Sequence, residues 1–127
     1  MGQKWDPKIQ SFKTNANFAS SAWMLVKYAS DGDIDLCGDG ELPLGVLTDN
    51  VGASNTDTKY VDVQVGGIVK VICGSAITGG TLVASDGSAE AVPATTDNDY
   101  AFGQAYQGAA DGELLSVAWG ISHQDIA

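Results

Sequence analysis

The sequence predicts a small all-β protein, a single-domain sandwich or barrel, and three observations support this. Short apolar segments recur about every 8–12 residues, a spacing typical of such folds. The segments between them are rich in Asp, Asn, Ser, Thr and Gly, the residues of tight turns, and the chain contains 16 Gly. The 127 residues are 44% apolar and only 17% charged, which is enough for one hydrophobic core and one domain.

The first 22 residues differ from the rest of the chain. They are polar, they show neither helical nor strand periodicity for long, and their aromatic residues Trp5, Phe12 and Phe18 are spaced widely. Proline, asparagine and serine in this segment disfavour a helix. We therefore predict an extended N-terminal arm over 1–22 followed by a β-rich domain over 23–127. The alternative is that the segment forms the first strands of the fold.

Each predicted strand of the domain ends at a turn-forming sequence. In the clearest strand, Val61, Val63 and Val65 alternate with polar residues and so share one face. The Gly66–Gly67 pair that follows predicts a hairpin to the next strand. The predicted strands are 22–28, 34–36, 42–47, 60–65, 68–73, 81–84, 89–92, 100–106 and 114–119.

The order of strands and turns in residues 26–65 recurs in residues 82–118. Each stretch contains a Ser-Asp-Gly turn, and matching the two turns aligns Tyr28 with Val83. Each also contains, further along, a strand with a glycine between larger residues. An alternating strand closes both stretches. This order predicts two copies of one β-unit packed about a pseudo-twofold axis. The alternative is that turn residues recur by chance.

The charge of the chain excludes some partners. The chain has 6 Lys, no Arg and 16 acidic residues, for a net charge of −10. Because Arg dominates bidentate contacts to phosphates and base edges, its absence argues against a nucleic-acid partner. No apolar segment approaches the ~20 residues of a membrane span, so no membrane contact is predicted. Residues 1–29 carry four of the Lys and one acid, so the arm is basic and the domain acidic.

No residue pattern predicts an enzyme, a metal or a cofactor. The Asp-x-Asp-x-Asp segment from Asp31 has the spacing that opens a calcium loop, but it lacks the glycine and the closing Glu, so we interpret it as a solvated turn. His123 is the single histidine and lies near the end of the chain. Cys37 and Cys73 form no metal or redox motif, and Cys73 is expected to be a buried thiol. Whether the two cysteines form a disulfide is left open by the sequence.

Residues 60–118 contain a pattern of small residues and alternating strands. It consists of Gly67-Ile68-Val69-Lys70-Val71, Ile77, Gly80, Leu82-Val83, Asp86-Gly87, Ala91, Gly103-Gln104-Ala105, Ala109-Ala110 and Gly112-Glu113-Leu114-Leu115-Ser116-Val117. In this pattern the chain resembles small head-decoration (cement) proteins of tailed bacteriophages. The resemblance implies a non-enzymatic β-rich protein on the capsid exterior of the virion, made in the host cytoplasm. It also implies that the protein forms trimers and stabilises the shell by bridging neighbouring copies of the major capsid protein.

The predicted partner-binding residues lie in the arm. Aromatic side chains in a segment too polar to form its own core are typical interface anchors, and lysines beside them would contact an acidic surface. The alternative function is a small β-sandwich module of a phage fibre that binds a carbohydrate or a receptor. The six predicted contact residues are Lys4, Trp5, Lys8, Phe12, Lys13 and Phe18.

Overall fold

The computed structural model describes residues 8–14, 18, 21–29, 32–48, 59–95 and 100–123, and this part of the chain contains only strands and turns. The all-β class predicted from the sequence is confirmed. None of the described residues belongs to a helix of the length and apolarity that a membrane crossing needs. The strands are β1 (Lys8–Thr14), β2 (Leu25–Tyr28), β3 (Ile34–Leu36), β4 (Gly45–Leu47), β5 (Lys59–Gly66), β6 (Ile68–Ile72), β7 (Leu82–Ser85), β8 (Ala91–Pro93), β9 (Tyr100–Ala105) and β10 (Leu114–His123).

The strands form two antiparallel five-stranded sheets that pack as a sandwich. The strand order is β1-β5-β4-β2-β3 in the first sheet and β6-β10-β9-β7-β8 in the second. Raising each strand number of the first sheet by five gives the order of the second. The two sheets are therefore two copies of one topological unit, and each is built from a continuous stretch of chain, 8–66 and 68–123.

Backbone hydrogen bonds fix which residues correspond in the two units. The amide of Ala29 donates to the carbonyl of Asp33 at 2.8 Å, and the amide of Asp86 donates to that of Glu90 at 2.9 Å. These bonds close the β2–β3 and β7–β8 turns. Tyr28 therefore corresponds to Ser85, two residues away from the alignment predicted from the Ser-Asp-Gly turns.

The repeat also includes the segment predicted to be a separate arm. Strand β1 pairs along its whole length with β5, as β6 pairs with β10. The predicted division at residue 23 is therefore wrong for residues 8–14, which belong to the first sheet; residues 1–7 lie outside the described part. As an edge strand, β1 exposes most of its side chains, so it lacks the apolar alternation that identifies a strand in sequence.

The first sheet buries apolar side chains on both faces. Leu25, Cys37 and Val46 pack with the second sheet in one cluster, whose second-sheet members include Val69, Val71, Val83, Phe102, Leu115 and Val117. The opposite face holds a second cluster formed by Phe18, Val26, Ile34, Leu47, Val61 and Val63. Adjacent residues such as Leu25 and Val26 enter different clusters because strand side chains alternate between faces.

The second sheet buries one face and exposes the other. Leu25 pairs with Val46 in the first sheet, and at the corresponding positions Leu82 pairs with Gln104 in the second. Leu25 is fully buried, whereas Leu82 is exposed, because no other strand of the described part of the chain covers that side of the second unit. Tyr106 and Leu114 are also exposed on this unit. The two units thus share a topology but differ in what covers them.

Candidate functional site

The two described lysines of the predicted contact set lie on the exposed surface of β1. Lys8 pairs across the sheet with Gly66, and Lys13 pairs with Tyr60. Lys13 also forms an ion pair with Asp33 at 3.3 Å. Both lysines are exposed and therefore accessible to a partner. Lys4 and Trp5 lie outside the described residues.

The two phenylalanines of that set have structural roles. Phe18 is only 1% exposed and belongs to the second cluster, so the prediction that it is an exposed anchor is wrong. Phe12 is partly buried against the same cluster, and its ring meets that of Tyr28 edge-on with centroids 6.1 Å apart. The burial of these two rings could not be predicted, because their neighbours in sequence are polar and their apolar partners come from distant strands.

A surface on β1 and β5 combines the basic residues with exposed apolar ones. Ile9, Ser11 and Lys13 alternate along β1 and share a face with Asp62 and Tyr60 of β5. Ile9 is 50% exposed and Tyr60 is 67% exposed, and Ser11 Oγ donates to Asp62 Oδ1 at 3.1 Å. We call these five residues the β1–β5 face. Sequence reasoning missed Ile9 and Tyr60, although the alternation of β5 places Tyr60 opposite the buried valines.

A cleft of about 590 Å³ lies where the two units meet. This volume is within the range of about 300–1,000 Å³ that is usual for small-molecule sites. Strand β2 and the loop before β4 form one side, and Trp119 of β10 forms the other. We call this the junction cleft, and it is lined by Lys27, Tyr28, Glu41, Leu42, Pro43, Leu44 and Trp119.

Both aromatic rings of the junction cleft are supported from behind. The Trp119 ring packs on Phe102 of the main core with centroids 5.6 Å apart, and Tyr28 packs on Phe12. The pairing of β10 with β9 is irregular directly after Trp119, and such bulges change the direction in which a strand points its side chains. Trp119 is therefore held against the main core, and Tyr28 has an aromatic neighbour in Phe12.

The polar end of the cleft is an ion pair. Lys27 Nζ donates to Glu41 Oε1 at 2.7 Å, and the amide of Gly38 donates to the same oxygen at 2.7 Å. The hydrogen bond from Lys27 lowers the pKa of Glu41 below its ordinary value of 4.5, and Glu41 in turn raises the pKa of Lys27. Both groups are charged at neutral pH.

Two acidic residues with opposite pKa shifts give a pH-dependent prediction. Burial, with Asp86 and Asp111 nearby, raises the pKa of Glu90 above 4.5. At about pH 7 we expect Glu90→Gln to stabilise the fold and Glu41→Gln to destabilise it, because ionised Glu90 is disfavoured in the folded state and ionised Glu41 is favoured. The Glu90 effect should vanish as the pH falls to about 4.5, and the Glu41 effect only below that value.

Urea denaturation of both variants over this pH range measures the two effects, with the wild-type chain as the reference at each pH. If both variants changed the free energy of unfolding in the same direction at neutral pH, the opposite environments of the two carboxyl groups would be contradicted.

The cysteines are buried, and no metal group is formed in the described part of the chain. Cys37 and Cys73 are both free thiols in the main core, and burial raises the pKa of each. The structure therefore has no disulfide between these two cysteines, an alternative that the sequence left open. No three His, Cys, Asp or Glu side chains among the described residues are placed to hold a metal ion. Asp31 and the side chain of His123 lie outside that part.

The fold is similar to a solved structure from a phage. The chain matches the head fiber gp8.5 N base of bacteriophage phi29 with a TM-score of 0.72 and 23% sequence identity. The match covers 88% of this chain and 94% of that chain. No family model matches the sequence, and a search of curated proteins finds no match. The similarity establishes the sandwich architecture over nearly the whole length of both chains.

Proposed function

We propose that this chain is a non-enzymatic structural protein of a phage virion, attached to the outside of the capsid. The observation that supports this most directly is the shared fold with a phage head fiber base over 88% of the chain. The decoration-protein pattern of residues 60–118 supports the same class independently. Both likenesses are to virion proteins, and the acidic charge of −10 favours an outer, solvent-facing position over contact with packaged nucleic acid.

The β1–β5 face is the attachment surface in this proposal. Ile9 and Tyr60 supply exposed apolar area, and Lys13 supplies a positive charge. Lys8, exposed at the start of β1, adds a second positive charge beside the face. Exposed tyrosines are typical interface residues, since they bury much area at a low entropy cost. Lys4 and Trp5, which precede β1 in the sequence, belong to the same proposed contact with the major capsid protein.

Attachment stabilises the shell by mass action. A protein that binds only the assembled shell shifts the equilibrium away from separated capsid subunits, and a contact that spans two neighbouring subunits resists their separation directly. A trimer at a three-fold position would bridge three such neighbours at once. Thermal denaturation of shells with and without bound protein tests the stabilisation, and sedimentation of the isolated protein tests the trimer.

Substitution of the β1–β5 face tests the attachment surface. We expect Tyr60→Ala to weaken binding to shells that lack this protein at least tenfold, because truncating a buried interface aromatic commonly costs about 2 kcal/mol. Lys8→Ala with Lys13→Ala should weaken it less and reduce its salt dependence, since exposed ion pairs contribute only ~0–1 kcal/mol each. Co-sedimentation with shells at low and high salt measures both effects.

Tyr106→Ala is the matched control, because Tyr106 is exposed to the same extent as Tyr60 but lies in the second unit, directly after β9. Equal binding by Tyr60→Ala and the control would contradict attachment through the β1–β5 face. Absence of co-sedimentation by the wild-type chain would contradict the proposed function itself.

The alternative function, a carbohydrate- or receptor-binding module of a phage fibre, is favoured by a different feature, the junction cleft. The cleft lies apart from Ile9 and Tyr60, so occupation of one surface does not exclude occupation of the other.

A further inference from the structure

The residues of the junction cleft are not those that the repeated fold requires. The positions of Lys27 and Tyr28 on β2 correspond to Ala84 and Ser85 on β7, and both of these small residues are buried. Tyr28 by contrast is 62% exposed. The second unit thus forms the same strand with small side chains, so strand formation itself does not require a tyrosine and a lysine at these positions.

The aromatic side of the cleft is accessible. Trp119 packs on Phe102 of the main core, so little of its side-chain freedom is lost when a ligand packs on its ring. Tyr28 is 62% exposed and meets Phe12 edge-on. The face of an aromatic ring is electron-rich and attracts weakly positive C–H groups. A ligand with a flat apolar C–H face matches this surface.

The polar side of the cleft offers donors and an acceptor together. Glu41 Oε1 accepts from both Lys27 and Gly38, whereas Glu41 Oε2 accepts no hydrogen bond within the described residues. Lys27 has further N–H groups beyond the one directed at Glu41. Hydroxyl groups complement this pair, because each both donates and accepts. The pair is neutral as a unit, and the acidic chain repels anions, so a neutral ligand is favoured.

We propose that the junction cleft binds a neutral pyranose saccharide. The C–H face of a sugar ring packs on Trp119 and Tyr28, and adjacent hydroxyls bond to Lys27 and Glu41. The proposal goes beyond attachment to a shell and does not depend on it, because the cleft shares no residue with the β1–β5 face.

An extended peptide fits the cleft less well. Pro43 has no N–H, and the amides of Glu41 and Leu44 already donate to the carbonyls of Gly38 and Val26. A peptide therefore cannot extend the sheet here by regular backbone hydrogen bonds, which are the usual source of affinity for an added strand.

Ligand-observed NMR with the full chain tests the proposal. The probes are neutral oligosaccharides of glucose, galactose, mannose and N-acetylglucosamine, with uronic acid oligosaccharides and a proline-rich peptide for comparison. We expect at least one neutral saccharide to bind and the anionic series to bind at least tenfold more weakly. Saturation transfer should be strongest at ring C–H protons.

Three variants locate the binding. Tyr28→Ser introduces the residue found at the corresponding position of the second unit and should weaken saccharide binding at least tenfold. Gly38→Ala should also weaken saccharide binding at least tenfold, although Gly38 does not line the cleft. The Cβ of the introduced alanine would displace the Glu41 carboxylate. The control Tyr106→Ala removes a similarly exposed tyrosine elsewhere and should leave affinity within twofold. Circular dichroism confirms that each variant is folded.

Failure of every neutral saccharide to bind would overturn the proposal, as would binding that Tyr28→Ser leaves unchanged or binding of the peptide alone. Shell co-sedimentation of Tyr28→Ser separates the two proposals. It should match the wild-type chain even where saccharide binding is lost, whereas Tyr60→Ala should lose shell binding and keep the saccharide.

Discussion

Replacing Phe18 with alanine is expected to lower the free energy of unfolding by about 3–5 kcal/mol, the usual cost of truncating a fully buried phenylalanine. Phe18 is 1% exposed and is the largest side chain in the cluster on the far face of the first sheet. Its removal leaves a cavity among Val26, Leu47 and Val61, all held on rigid strands that cannot collapse into the space. Urea denaturation followed by fluorescence measures the loss.

The control for this prediction is Ile9→Ala, which truncates a half-exposed residue on the opposite face of the same sheet and should cost under about 1 kcal/mol. A comparable loss in both variants would show that Phe18 has no special role in the core. The same reasoning predicts that deletion of residues 1–22 abolishes folding, because it removes Phe18 together with strand β1.

Replacing Gly103 with alanine is expected to destabilise the fold by about 3 kcal/mol or more, because the added methyl group has no room. A Cβ at this position would overlap the carbonyl oxygen of Ala118 and lie 2.6 Å from Val117 Cγ1, both on the neighbouring strand β10. Either the β9–β10 pairing opens or the core side chain shifts, and forced overpacking typically costs about 1–3 kcal/mol before backbone strain is added.

The first unit repeats this close approach, and the chain also provides a control. At Gly45 a Cβ would lie 2.5 Å from the carbonyl oxygen of Gln64 and 2.7 Å from Val63 Cγ1, so Gly45→Ala should show a loss of similar size. Gly120 lies in a strand with open space at its Cβ position, and Gly120→Ala should change the free energy of unfolding by under about 1 kcal/mol. Thermal unfolding of the three variants decides the matter. If Gly103→Ala unfolds at the same temperature as Gly120→Ala, the two sheets tolerate a wider strand spacing than the structure has.

The all-β fold and most strands could be predicted from the sequence because those strands alternate or are wholly apolar. Strand β5 is the clearest example, with its three valines on one face. Strand β1 could not be recognised in the same way, since an edge strand with an exposed surface resembles a polar loop. The glycines at 45 and 103 marked the repeat correctly, because both serve the same close approach.

The alignment predicted from the Ser-Asp-Gly turns differs by two residues from the one in the structure. The reason is the backbone conformation of the turns. Ser-Asp-Gly is a favourable turn sequence wherever it occurs, but the conformation of each turn depends on which residue takes a positive φ. In the first unit Gly32 has φ 86°, and at the corresponding position of the second unit Ala89 has φ 63°. Because a non-glycine residue holds that conformation in the second unit, the glycines of the two turns do not correspond.

The junction cleft could not be predicted from the sequence. Tyr28 and Trp119 are far apart in the chain, and both line the cleft only because the two units pack against each other. Neither residue belongs to a local motif, and the ion pair of Lys27 with Glu41 joins a strand to a loop. Sites formed between repeated units depend on how the units pack, and that packing cannot be read from local sequence patterns.

The two units pack head to tail, so the predicted pseudo-twofold axis between them is wrong. This packing limits how the molecule can grow. The side of the first sheet that carries Leu25 meets the opposite side of the second sheet, a heterologous contact that in principle adds further units without end. Phe18 seals the free side of the first sheet, as a terminal cap seals an array of repeats. Among the described residues, the side of the second sheet that carries Leu82 has no corresponding cap. A further copy of the unit could therefore pack in this way on the second sheet but not on the first.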